Sequence, residues 1–275
     1  MLYRHADLIA LEDGQPGPWL PLYIRTMRTS PHLHALVRIL HITTRGQPFP
    51  ELYGWIQSLP KSSLTVLDYS WEGPRGQNDD SSQSFILQAP AVRAIRKLQV
   101  CGSFSPTALV SIMTLSQLEE LLITIDHLQK LSFHIPAPTP RLKHLDKTIN
   151  PTFSPASGFG LYGNLEEWTS GLECSFMDSL IVQCPSLETV SCHQGTFTHR
   201  FFRHFSPAIK VLNLVISSPT SLSDECRKAL IQCLREAQKR ELALTRVFVW
   251  PRWEDSLYDT MLDACNASGI SFSSQ

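Results

Sequence analysis

"SPHLHALVRILHI", residues Ser30 to Ile42, changes its period partway along. Leu33, Leu36, Val37 and Leu40 fall at i, i+3, i+4 and i+7, the spacing of one helix face. Leu40 and Ile42 then alternate around His41, the spacing of a strand. Ser30 and Pro31 read as a helix N-cap and a first helical residue. The stretch therefore predicts a short helix running straight into a short strand.

The pattern recurs. Its template is an apolar residue, two variable residues, a second apolar residue, one variable residue and a third apolar residue. Val37, Leu40 and Ile42 fill it in the opening stretch. It returns in "LTVLDY" from Leu64, "IRKLQV" from Ile95, "LEELLI" from Leu118, "LETVSC" from Leu187, "IKVLNL" from Ile209 and "LTRVFV" from Leu244. "LKHLDK" from Leu142 and "LEEWTS" from Leu165 match except at the last position. From Leu118 the starts advance by about 24, 23, 22 and 22 residues, against about 27, 31 and 23 earlier and about 35 from Ile209 to Leu244. "LQKLSF" at Leu128 also fits, but follows Leu118 so closely that it reads equally as a strand or a helical connector.

A step in the low twenties is the mark of a leucine-rich-repeat array. The expected fold class is α/β: a leucine-rich-repeat-like solenoid, a right-handed β-α superhelix with irregular repeats of about 22–31 residues. Helices are expected between strands, in "SPTALVSIM" (Ser105–Met113), "SFMDSLIVQC" (Ser175–Cys184), "FTHRFFRHF" (Phe197–Phe205), "SDECRKALIQCLREAQKRE" (Ser223–Glu241) and "EDSLYDTMLDACNASG" (Glu254–Gly269). Roughly three core aliphatics per unit contribute about 1.5–3 kcal/mol each. Ordering some two dozen residues costs about 1–2 kcal/mol apiece. A single unit is thus unstable alone, and neighbours must share their burial. The polar stretches Glu72–Ser84, Ile135–Pro140 and Asn150–Gly163 interrupt the array as loops.

Composition narrows the function. The chain has 275 residues, 43% of them hydrophobic, and a formal net charge of -1. A pI near 6.8 without a basic stripe argues against a nucleic-acid partner. Apolar runs such as Leu121–Ile125 are far too short to cross a bilayer. The N-terminus carries Arg4, Asp7 and Glu12 among scattered apolar residues and is no secretory signal. Seven cysteines without a CxxC then read as reduced thiols, and the expected location is intracellular, cytoplasmic or nuclear.

"SPHLHALVRILHI" resembles the first repeat of basidiomycete fungal F-box proteins with leucine-rich-repeat-like C-terminal domains. "LYRHADL" (Leu2–Leu8) resembles the segment that follows the F-box there. "APAVRAIRKLQV" and "FVWPRWEDSLYDTMLDACNASGISFS" fit the same group, in which the closing helix leads to a last short strand, here Ile270–Phe272. The resemblance divides the chain into an N-terminal segment or cap at 1–29 and a repeat array with a helix-strand cap at 30–275. It implies a non-catalytic protein-recognition scaffold, the substrate-binding half of an F-box subunit of a cullin-RING ubiquitin ligase. The F-box itself would precede Leu2, so binding to the Skp-type adaptor is not expected without it. The rival readings are a structural repeat protein with no ligase role and an enzyme of unrecognised type.

The chemical motifs support no reaction. Gly158, Gly160 and Gly163 match GxGxxG but lack the strand before and helix after that a dinucleotide site needs. Cys184, Cys192, His193, His199 and His204 are the densest metal-like group, but the two cysteines lie too far apart for a zinc knuckle and read as core residues. Cys226 and Cys233 share one helix face, which indicates packing. His193 beside Cys192 has no recognisable orienting group. No catalytic residue, cofactor or metal is expected.

What remains is a surface. In each unit the variable residue between the last two apolar positions should point away from the core. That row runs His41, Asp68, Gln99, Leu122, Asp146, Thr169, Ser191, Asn213 and Phe248, with His193 and Trp250 one step further out. It carries no cluster of Lys and Arg for phosphates. Aromatic anchors in polar surroundings suit a protein partner, with Phe248 and Trp250 as the expected hot spot. The alternative for Phe248 is burial under the closing helix and strand.

Overall fold

The computed structural model describes residues 4–9, 19–45, 50–72, 85–102, 106–125, 141–149, 176–216, 222–250 and 256–274. Two compact units divide the chain, Met1–His127 with Ile135–Arg141 and Leu128–His134 with Leu142–Gln275.

The first unit holds β1 (His5–Ile9), α1 (Trp19–Thr29), β2 (Ile39–Arg45), α2 (Pro50–Ser58), β3 (Val66–Glu72), β4 (Lys97–Gly102), α3 (Pro106–Met113) and β5 (Glu120–Ile125). The second holds β6 (His144–Ile149), α4 (Phe176–Gln183), β7 (Thr189–His193), α5 (His199–Arg203), β8 (Val211–Val215), α6 (Asp224–Arg235), β9 (Arg246–Trp250), α7 (Ser256–Ala267) and β10 (Ser271–Ser274). Within each unit every strand pairs in parallel with the next strand of the chain. The molecule is an α/β protein whose strands follow one another in sequence order.

The template explains the burial. Its three apolar positions are buried in all seven full matches, from Val37, Leu40 and Ile42 to Leu244, Val247 and Val249. The residue after the first of them extends the ladder by one bond. Arg38 N donates to Arg4 O, Thr65 N to Arg38 O, Arg96 N to Thr65 O and Glu119 N to Arg96 O; Glu188, Lys210, Thr245 and Ser271 continue the pattern in the second unit. The helices cover the inward face. Tyr23 of α1 meets Trp55 of α2 edge to face at 5.6 Å. Around α5, Phe201 lies 5.1 Å from Phe202 and 5.7 Å from Phe205.

Several expectations are corrected. The helix of the opening stretch is a 3-10 turn, Pro31–Leu36, and Ser30 makes no side-chain cap. Leu36, assigned to the apolar face, is 50% exposed, because three residues per turn stack it over the only partly buried Leu33 and turn His34 and Val37 inward instead. α6 stops at Arg235 rather than Glu241. Residues 1–29 carry β1 and α1, and β1 pairs with β2 from His5↔Ile39 to Ile9↔Thr43. β6 pairs directly with β7, His144 opposite Thr189. The Leu128 stretch, the Leu165 unit and the glycine motif at Gly158–Gly163 lie outside the described residues.

The predicted caps hold elsewhere. Ser223 Oγ accepts the Cys226 N–H at 3.2 Å at the start of α6. Gly269, at a φ of 68°, turns the chain from α7 into β10.

Candidate functional site

Parallel sheets are normally covered on both faces. Here the inward residues are buried, while His41, Asp68, Gln99 and Leu122 in the first unit and Asp146, Ser191, Asn213 and Phe248 in the second stay partly exposed. The ladder register sets them side by side: His41↔Asp68↔Gln99↔Leu122, and Asp146↔Ser191↔Asn213↔Phe248. Asp7 extends the first row, opposite His41, and Ser273 the second, opposite Phe248. Thr169 lies outside the described residues.

The two rows differ chemically. In the first unit His41 Nδ1 and Asp68 Oδ2 are 3.0 Å apart, and the rings of His5 and His41 lie 4.8 Å apart. These polar groups satisfy one another. In the second unit the row lines an open groove of about 400 Å³, walled by Asp146, Ser191, Asn213, Leu214, Val215, Phe248 and Trp250. Trp250 stands next to Val215 and His193 in the adjacent row, where the register pairs His193↔Val215↔Trp250.

Asn213 Nδ2 donates to Ser191 Oγ at 2.9 Å, which fixes the middle of the groove. At one end Asp146 Oδ1 is buried without a hydrogen-bond partner among the described residues. Its burial pushes the Asp146 carboxyl above the ordinary value of 3.8. At the other end Trp250 is half exposed and Phe248 half buried. Phe248 is not sealed by the closing elements: the cap packs through Phe272 against Tyr258 of α7, ring centroids 5.1 Å apart, while Phe248 faces small Ser273.

Among the described residues no group of three or more His, Cys, Asp or Glu is placed to hold a metal ion. Cys184 and Cys192 are buried, and His199 faces Glu225 at 3.4 Å. Cys226 and Cys233 are buried on the inner side of α6. No helix among the described residues is long and apolar enough to cross a membrane.

Sequence reasoning named five of the seven groove residues. It missed Leu214, an inward residue that closes the groove floor, and Val215, whose signal is its place two residues beyond Asn213 on the same strand face. Fold and groove together define an α/β protein with one open strand face. No family model matches the chain, and no curated protein matches it in sequence.

Proposed function

We propose that the chain is a non-catalytic protein-recognition scaffold. In this reading it is a leucine-rich-repeat-like solenoid, comparable to the substrate-binding half of the F-box proteins it resembles, serving a cullin-RING ubiquitin ligase. The observation that carries the reading is the groove of the second unit, with a carboxylate oxygen unpartnered among the described residues at one end and exposed aromatic surface at the other. Strands that follow one another in chain order, open on one face, support the solenoid, since such arrays bind partners along their strand face.

The groove supports a partner of particular chemistry. A buried carboxylate oxygen with no donor destabilises the free protein. A Lys or Arg from a partner supplies the missing donor, and Phe248 and Trp250 supply the apolar anchor. Asp146 and Phe248 stand three strand spacings apart, about 14 Å. An extended peptide covers that distance in about four residues. The preferred segment therefore places a cation four residues from an aromatic or large aliphatic side chain.

One contact in the same groove supports a binding role rather than a reaction. The Ser191 hydroxyl accepts from the Asn213 amide, which cannot take its proton. The test is selection of linear peptides from a displayed library against the whole chain. Enrichment of Lys or Arg four residues from an aromatic supports the reading, and selected peptides with no such spacing contradict it.

A further inference from the structure

A second groove, wholly within the first unit, has the opposite charge. It lies where the chain enters β3, β4 and β5, has a volume of about 630 Å³, and is lined by Lys61, Ser62, Leu64, Thr65, Arg93, Ala94, Arg96, Ser116 and Gln117. Three cations face one opening. Among the described residues Lys61 and Arg93 have no carboxylate partner, and Arg96 reaches only Glu119, at 4.0 Å, with its side chain 69% exposed.

The neutral groups point the same way. Gln117 Oε1 accepts from Arg141 Nη1 at 2.6 Å, which leaves the Gln117 amide nitrogen as its remaining donor group and holds a further cation against a lining residue. The Ser62 and Ser116 hydroxyls are exposed at its edge. Ser62 sits at a φ of 66°, a left-handed conformation that costs a non-glycine residue energy and that shapes the turn carrying Lys61. The backbone N–H groups of Thr65, Arg96 and Glu119 are spent on neighbouring carbonyls, so those three offer the groove no donor.

We propose that this groove binds a multiply charged oxyanion segment of a partner protein, in which clustered carboxylates or a phosphorylated side chain supply the charge. Each exposed ion pair contributes little alone, so a lone carboxylate gains almost nothing, whereas several oxyanions held at once engage the whole set. Arginine's planar fork matches a phosphate or carboxylate with two parallel hydrogen bonds. A nucleic acid fits poorly, because it asks for a long basic track and the three cations end within one groove. The site is independent of the strand-face groove and of the partner assigned to it.

The experiment is fluorescence anisotropy of the full chain with a labelled peptide of consecutive glutamates around one phosphoserine. Its unphosphorylated form, inorganic phosphate and a single-stranded oligonucleotide serve as competitors. Saturable binding is expected, weakening as salt rises, with at least about a tenfold loss in the Arg93→Ala/Arg96→Ala double variant. That variant should keep the wild-type melt, since both side chains are exposed. Competition by the unphosphorylated peptide assigns the charge to carboxylates, and its failure assigns it to the phosphoryl group. Equal affinity in wild type and double variant, or no saturable binding, overturns the proposal. So does displacement by inorganic phosphate or by the oligonucleotide at a concentration comparable to that of the peptide.

Discussion

Asn213 donates across β8 and β7 to Ser191, while the next residue along the same row, Asp146, keeps a carboxylate oxygen buried with no donor among the described residues. One polar group of the groove is satisfied and its neighbour is left unsatisfied. That difference locates where a ligand gains most.

The first prediction follows from Asp146. Its carboxyl is raised by burial, so the folded state holds the proton more tightly than the unfolded chain. Its contribution is least unfavourable below the ordinary value and becomes destabilising as pH rises through the folded value. Asp146→Asn should therefore stabilise the protein at pH 7 by about 0.5–1 kcal/mol, a figure reduced because the group keeps part of its solvent contact. The advantage should vanish below about pH 3.8, the ordinary carboxyl value. Chemical denaturation at neutral and acid pH measures it, and a destabilised variant at pH 7 refutes it.

Leu187 has no solvent exposure and opens the template of β7. Leu187→Asp places an unpaired charge in the core and should cost more than about 4 kcal/mol, enough to abolish the cooperative melt. A soluble variant with a sharp transition would show that this residue does not hold the repeats together.

Asp178 of α4 accepts the Thr198 N–H at 2.9 Å and also the Thr198 hydroxyl, at the cap of α5. Thr198 Oγ1 in turn accepts the Arg200 N–H. Asp178→Ala strands two buried donors and should destabilise the second unit by about 2–3 kcal/mol. Calorimetry reads this directly, and a loss below about 0.5 kcal/mol would mean that water replaces the carboxylate.

Burial pushes the Cys233 thiol up to about 11 and the Cys265 thiol up to about 12. Neither has appreciable thiolate at pH 8. Both should resist a thiol reagent in the native protein and react on unfolding. Cys101 is the one described cysteine that is not buried, and it should react before them. Rapid labelling of Cys233 in the native state would contradict its placement.

The ladder was legible because seven strands repeat three inward apolar positions, which form the strand side of the core, while helix residues such as Leu20, Trp55 and Phe201 supply the other side. β1 escaped notice, although Tyr3, Ala6 and Leu8 fit the same template, because Ala6 is a weak apolar signal. Leu36 misled because helical periodicity does not separate an α-helix from a 3-10 turn. The row residues were readable from strand alternation alone, whereas the unsatisfied state of Asp146 depends on what packs around it. Lys61 stands on the turn before β3 and Arg93 and Arg96 on the segment before β4, and only the parallel stacking brings Lys61 to the other two.

The central claim is that the open strand face of the second unit binds a protein segment through Asp146 at one end and Trp250 at the other. The direct measurement is the affinity of a labelled peptide bearing Lys four residues before Phe, by anisotropy, for wild type, Asp146→Asn and Trp250→Ala. Both variants should fold as wild type does, since Trp250 is half exposed. The account predicts a loss of at least about 2 kcal/mol on removing the Trp250 anchor and a comparable loss on removing the Asp146 charge. Affinities unchanged in both variants would contradict it.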